Sequence, residues 1–125
     1  TLAQFQISPA IADGSGLSRE NRTTPREVVS MLTGMAESEH AAAFDGTLAV
    51  VGRTGTVGYR MRGTPAQDKC HAKTGTLRDV SALAGYCTTT AGKRVAFAFM
   101  MNRVWPASAR AIQDRMTATL ARYSG

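Results

Sequence analysis

The rhythm of apolar and polar positions changes several times along this chain of 125 residues. No period holds through residue 22. That stretch reads as an extended entry and then a turn-rich loop, Asp13-Gly14-Ser15-Gly16-Leu17-Ser18, whose glycines make positive-φ positions available. Helical spacing comes next. Val28, Val29, Met31, Leu32 and Met35 share one helical face, with the methionines as core filler. Thr24-Pro25-Arg26-Glu27 has the form of a helix start: Thr24 can accept from the amide three residues on, Pro25 suits the first helical position, and Glu27 can reach back to the cap. The helix is predicted to run to about residue 37, weakened at Gly34 by up to ~1 kcal/mol relative to Ala. The period is then lost again. Leu48-Ala49-Val50-Val51 is a short apolar run, and Gly52, Gly55, Gly58 and Gly63 punctuate the chain beyond it. Residues 38–65 therefore read as loop with at most short strands.

From residue 69 the pattern is that of strands. Residues 70–77, 80–89 and 95–102 are three strand candidates, joined by Arg78-Asp79 and by a turn at Ala91-Gly92, where Gly92 supplies a left-handed residue. The third strand, Val95-Ala96-Phe97-Ala98-Phe99-Met100-Met101, is almost wholly apolar, which predicts burial on both faces. After Trp105-Pro106 a second long helix is expected over residues 107–122, with Ala111, Ile112, Met116 and Leu120 as its inner residues.

If Arg78 and Asp79 are the two turn residues, the register is determined. Thr76 faces Ser81, Thr74 faces Leu83, and Cys70 faces Cys87. Directly opposed residues have Cβ atoms roughly 4.5–5.5 Å apart, within reach of a disulfide. A Cys70–Cys87 bridge is the expectation, and it argues for an oxidising compartment. Two reduced, buried thiols are the alternative, and a bulge near Gly75 would shift the register.

Composition changes this picture little. Apolar residues are 43% and charged residues 19%, which fits one globular domain with its own core. No apolar run is long enough to span a membrane, and no signal peptide is visible. The chain opens at Thr1 without an initiator Met, so a processed product or a piece of a longer protein is expected. The net charge of +6 suits a basic surface facing an anionic environment such as a bacterial cell wall. Nucleic acid is disfavoured as a partner, because the arginines are scattered and few aromatics are available to stack on bases. The two histidines, His40 and His71, read as surface residues.

The chemistry concentrates in Lys73-Thr74-Gly75-Thr76, on the first strand. A strand edge has free N–H and C=O groups on which an extended peptide can dock antiparallel. Lys73 puts a positive charge there that can hold a carboxylate and polarise a neighbouring hydroxyl. Thr74 adds a hydroxyl for the same carboxylate. Gly75 lets a substrate approach the backbone closely. The Thr76 amide is placed to stabilise an oxyanion. Alone, the triplet Lys-Thr-Gly is a weak signal.

Its neighbours strengthen it. Asp13-Gly14-Ser15-Gly16-Leu17-Ser18-Arg19 with Asn21, Gly55-Thr56-Val57, Tyr59-Arg60-Met61-Arg62-Gly63-Thr64, Ala72-Lys73-Thr74-Gly75-Thr76-Leu77, Ser81-Ala82-Leu83-Ala84-Gly85-Tyr86, Gly92 and Asn102 stand in order. Together they resemble the D-alanyl-D-alanine carboxypeptidase/endopeptidase family, the low-molecular-mass class C penicillin-binding proteins of peptidase family S13. The resemblance covers most of the chain. It implies an α+β class, the C-terminal part of a β-lactamase/transpeptidase-like fold, in which three C-terminal strands join two from an N-terminal segment in an antiparallel sheet flanked by helices. It implies a serine enzyme that acylates on the D-Ala-D-Ala stem peptide of peptidoglycan, is trapped by β-lactams, and uses no metal or organic cofactor. It also implies an exported protein of the cell envelope, periplasm or exterior.

By position, Lys73 is the family's third-motif lysine, Thr74 and Gly75 complete that motif, and Thr76 supplies an oxyanion amide. The departures are large. No Ser is followed three residues later by Lys, and Ser18-Arg19-Glu20-Asn21 is not Ser-x-Asn. Residues 1–125 are therefore expected to be the C-terminal part of the domain, inactive alone, with an N-terminal segment of the same protein as partner. A non-catalytic peptidoglycan-recognising module and a basic polyanion-binding domain are the competing readings.

Overall fold

The computed structural model describes residues 2–125. A 3-10 turn at Leu2–Phe5 leads into α1 (Pro25–Ala36) and α2 (Ala41–Gly46). Four strands come next, β1 (Ala49–Val50), β2 (Cys70–Leu77), β3 (Val80–Thr88) and β4 (Arg94–Asn102), and α3 (Pro106–Leu120) is last. The strands form one antiparallel sheet in the order β1-β2-β3-β4. The class is α+β.

α1 begins as its local chemistry dictates. The Glu27 amide donates to the Thr24 hydroxyl at 3.2 Å, and the Thr24 amide donates to the Glu27 carboxylate at 2.8 Å. That accepted backbone hydrogen bond, with lesser ones from Thr24, Thr23 and Ser8, holds the Glu27 carboxyl below its ordinary range. Leu32 is the buried residue of the helix, and the other apolar positions of its face are half-buried. α1 packs on β3 and β4, and the Tyr86 hydroxyl of β3 donates to the Leu32 carbonyl at 2.5 Å.

The hairpin has the expected register. Leu77 pairs with Val80, Thr76 with Ser81, Thr74 with Leu83 and Cys70 with Cys87, with Gly75 in step opposite Ala82. Arg78 and Asp79 are the turn, and no bulge intervenes. Cys70 and Cys87 are joined by a disulfide, with Cα atoms 4.0 Å apart. The ladder is drawn tight there, and Gly85 is what allows it. A Cβ on Gly85 would collide with the His71 carbonyl and lie 2.8 Å from the Ala72 Cα. Gly92, at φ +76°, closes the β3–β4 turn.

The main core lies on the α3 side of the sheet. Val51, Val57, Ala66, Cys70, Ala72, Leu83, Cys87 and Ala121 have no exposed surface, and Met61 and Phe97 join them.

Four expectations are corrected. Residues 38–65 hold helical turns that the sequence did not show, α2 and a 3-10 turn at Gly55–Val57, while the two-residue β1 is a short strand of the kind allowed there, within the apolar run 48–51. β4 is not buried on both faces: Phe97 is its buried residue, the rest are half-buried or exposed, and it forms one edge of the sheet. α3 turns a different face inward. Ala109, Gln113, Thr117 and Ala118 are buried, whereas Ala111, Ile112 and Met116 are exposed and Leu120 is half-buried. The rotation is stabilised by a polar contact to the sheet, Gln113 Nε2 donating to Ser81 Oγ at 3.1 Å, and the buried Thr117 hydroxyl is satisfied within the helix by the Gln113 carbonyl at 2.8 Å. Finally, His71 is partly buried and paired rather than a free surface residue.

The disulfide closes a separation of 17 residues, worth about 3 kcal/mol in chain entropy. Replacing both cysteines by Ala in the intact protein is expected to cost about 2–4 kcal/mol in denaturant unfolding. An intact mass that does not rise on reduction under denaturing conditions would overturn the bridge.

Candidate functional site

β2 is covered along only part of its outer edge. β1 pairs with it at Ala72 and His71, and the Val51 amide donates to the Cys70 carbonyl at 2.9 Å. From Lys73 to Leu77 that edge has no strand partner among the described residues. Lys73, Gly75 and Thr76 are exposed and Thr74 is half-buried. The stretch Lys73-Thr74-Gly75-Thr76 thus lies on an open strand edge, held from the inner side by β3.

Each residue of the stretch has a defined setting. Lys73 Nζ donates to the Thr74 carbonyl at 2.8 Å. The Thr74 hydroxyl is 2.9 Å from the Thr56 hydroxyl. A Cβ on Gly75 would touch only Ala82, at an ordinary 3.5 Å, so nothing within the sheet demands a glycine there. Thr76 faces Ser81, whose side chain is buried and accepts from Gln113.

Behind Thr76 a polar network crosses the core. Arg60 Nη2 donates to Gln113 Oε1 at 3.2 Å and lies 2.7 Å from the Asp114 carboxylate, while Arg60 Nε donates to Asp114 at 2.9 Å. Gln113 continues the path to Ser81. The 58–64 segment is thereby tied through α3 to the strand opposite Thr76.

Two further clusters flank β2. At the hairpin tip Arg19 donates to Asp79 at 2.6 Å, anchoring the 13–22 loop beside the turn. This hydrogen bond, with the guanidinium charge, holds the Asp79 carboxyl below its ordinary value. Within the loop, Asn21 Oδ1 accepts from the Ala12 and Asp13 amides. At the other end, Asp45 of α2 accepts from Arg94 at 2.9 Å and pairs with His71 Nδ1 at 2.9 Å. The Arg94 guanidinium lies 4.4 Å from the centre of the Tyr86 ring. Burial raises the Tyr86 phenol above its usual pKa; Arg94 opposes that rise and Asp45 adds to it.

The segments singled out in the sequence therefore meet around β2: 13–21 at the turn, 55–57 beside Thr74, and 59–64 behind Thr76. Sequence reasoning gave no role to Thr56, Gln113, Asp114 or Asp45. Thr56 stood in a noted segment, Gly55-Thr56-Val57, but its reach to Thr74 is tertiary. Gln113 gave no signal, being a polar residue in a helix whose apolar stripe lies elsewhere. Among the described residues no three His, Cys, Asp or Glu side chains gather as metal ligands, and no helix is long and apolar enough to cross a membrane.

Residues 4–123 match the model of the D-Ala-D-Ala carboxypeptidase 3 (S13) family. The chain belongs to this family. It is 39% identical over 118 residues to a D-alanyl-D-alanine carboxypeptidase of Actinomadura sp. (strain R39), covering 90% of this chain and 22% of that protein. It is 37% identical over 94 residues to a D-alanyl-D-alanine carboxypeptidase of Haemophilus influenzae, covering 74% of this chain and 20% of the relative. The crystal structure of penicillin binding protein 4 from Haemophilus influenzae, complexed with a β-lactam, superposes with a TM-score of 0.84 at 29% identity, over 98% of this chain and 32% of that one. A predatory endopeptidase of Bdellovibrio bacteriovorus shares the fold, with a TM-score of 0.69 at 22% identity, over 93% of this chain and 32% of that one. The chain spans about a fifth of the length of these curated relatives.

The Arg60 network gives a stability test. Arg60→Met leaves the Asp114 carboxylate and the Gln113 carbonyl oxygen without their cation, so a loss of about 2–4 kcal/mol is expected in denaturant unfolding of the intact protein. A loss below the error of that measurement would mean that the network carries no weight.

Proposed function

We propose that this chain is the C-terminal part of a serine-type D-Ala-D-Ala carboxypeptidase acting on peptidoglycan stem peptides, and that it supplies the Lys73-Thr74-Gly75-Thr76 wall of the active site. One observation carries the reading. In a chain of this family, the unpaired half of β2 is the half that bears those residues. An extended D-Ala-D-Ala peptide adds to that edge by backbone hydrogen bonds. Lys73 and the Thr74 hydroxyl hold its terminal carboxylate, and Gly75 gives room for the approach. The Thr76 amide donates to the carbonyl oxygen as it becomes an oxyanion.

The nucleophile comes from the preceding segment of the same polypeptide. Its Ser Oγ attacks the peptide carbonyl and gives up its proton. The C–N bond breaks, D-Ala leaves carrying a proton, and water then hydrolyses the ester. β-Lactams enter by the same attack and stay as the acyl-enzyme, because their ring opens without losing a leaving group. No step needs a metal or an organic cofactor. The disulfide and the net charge of +6 support an exported protein working against the anionic cell envelope.

The preceding segment has a surface to meet. β4 presents an apolar edge, and beside it Phe99, Ile112, Met116, Leu120 and Tyr123 line an open groove of about 840 Å³, with Arg115 and Arg122 also in its lining. The relatives are about four times as long as this chain, and a protein of their length has polypeptide to cover it. A strand against β4 and an apolar helix in the groove, with acidic residues toward the arginines, would bury both.

Residues 1–125 expressed alone are expected to aggregate or to melt without cooperativity, and to be rescued by the preceding segment. A soluble, cooperatively melting monomer counts against this. In the complete protein a fluorescent penicillin should label covalently, and Lys73→Ala should slow labelling on the order of a hundredfold with the fold retained. Unchanged labelling removes the role given to Lys73. Reversible binding without labelling favours a non-catalytic recognition module, and salt-dependent DNA binding favours a polyanion-binding domain.

A further inference from the structure

We propose that Thr56 is a positioning residue for the carboxylate-binding hydroxyl of Thr74. The inference rests on the peptidase reading above and deepens it. A threonine hydroxyl has one proton to donate and two lone pairs to accept with. To hold a carboxylate, which only accepts, Thr74 must give it that proton. The Thr74 Oγ1 lies 2.9 Å from Thr56 Oγ1, and the two share one hydrogen bond. If Thr74 donates to Thr56, its proton is spent and a carboxylate meets lone pairs. If Thr56 donates to Thr74, the Thr74 proton is free and is polarised by the bond it receives. An anionic ligand therefore selects the chain Thr56 O–H to Thr74 O–H to carboxylate. In this structure the Lys73 ammonium donates to the Thr74 carbonyl, and the Thr74 hydroxyl is met by Thr56.

The loop that carries Thr56 is built to hold it. Val51 and Val57, on either side, have no exposed surface. The Gly52 amide donates to the Val57 carbonyl at 3.0 Å and the Gly58 amide to the Gly55 carbonyl at 3.1 Å. The Val50 carbonyl accepts from both Arg53 and Thr54, and the Thr54 hydroxyl accepts from the Val50 amide at 2.8 Å. Gly55 sits at φ +56° against Ala49, where a Cβ would come within 2.9 Å of the Ala49 side chain. Arg53 is paired with Asp68 across the base of the loop. Thr56 itself is exposed, so its hydroxyl has no buried role to fill.

The test compares Thr56→Val and Thr56→Ser in the complete protein, using one penicillin as the free carboxylate and as its methyl ester. With the free acid, Thr56→Val should slow acylation about fivefold, the scale of one lost hydrogen bond, and Thr56→Ser should recover most of the rate. With the ester, whose carbonyl accepts only a weaker, uncharged hydrogen bond, Thr56→Val should slow acylation clearly less than with the acid. The inference is overturned if Thr56→Val acylates with the acid at the original rate, if Thr56→Ser is as slow as Thr56→Val, or if acid and ester slow equally. No acylation of the unsubstituted protein by either compound removes the peptidase reading itself, and the inference with it.

Discussion

Everything near Lys73 depends on the register of one hairpin. Arg78 and Asp79 leave no slack between β2 and β3, so every pair from Leu77–Val80 to Cys70–Cys87 is set by the turn. The disulfide fixes the far end of the same ladder. A one-residue slip would send Thr74 and Thr76 to the opposite face of the sheet, away from Thr56 and away from Gln113's partner Ser81. The bridge has a steric condition. It draws the strands close, and two residues away Gly85 must lack a side chain because the β2 backbone occupies that space. Cysteine pair, glycine and tight turn are thus one device. Its outcome is a straight edge strand whose outward groups are available.

The second constraint is the orientation of α3. A helix normally turns its apolar stripe to the core. α3 instead buries Gln113 and Thr117 and leaves Ile112 and Met116 exposed. The buried amide is satisfied on both sides, by Arg60 and by Ser81, so its desolvation is offset by hydrogen bonds. The arrangement is costly for an isolated chain and reasonable for one that has another surface to meet. One face of the helix is polar and makes directed hydrogen bonds, and the other is apolar and open.

What was legible in the sequence was local or nearly local. The α1 start is written in four consecutive residues, and the β2–β3 register comes from a two-residue turn between alternating strands. The Cys70–Cys87 pairing came from that register alone. What was not legible depended on distant surfaces. α2 is too short to show a period and has no side-chain cap. The short apolar run 48–51 did show in the sequence, but that it becomes the two-residue β1 depends on β2 lying beside it. The inward face of α3 could not be read from hydrophobicity, since the stripe that hydrophobicity marks is the one left open. The doubly buried third strand failed for the same reason. Val95 to Met101 has the composition of an interior strand, and among the described residues it has one neighbour.

The candidate site shows the same division. Lys73, Thr74, Gly75 and Thr76 could be marked from their order, because a triplet on a strand edge is a one-dimensional pattern. Thr56 could not, because its hydroxyl meets Thr74 only through a loop whose course is set by Val51, Val57 and Gly55. Yet this contact bears on how an edge strand discriminates. Backbone groups on a free edge will pair with any extended chain. Selectivity for a chain that ends in a carboxylate has to come from side chains that distinguish an anion from an amide. A lysine supplies charge but little direction. A hydroxyl supplies direction only if its single proton points outward, and a neighbouring hydroxyl that donates to it enforces that orientation. On the proposed reading, the part of the site in this chain is a device for recognising a C-terminus, and its selectivity comes from the orientation of one hydroxyl as much as from the lysine charge.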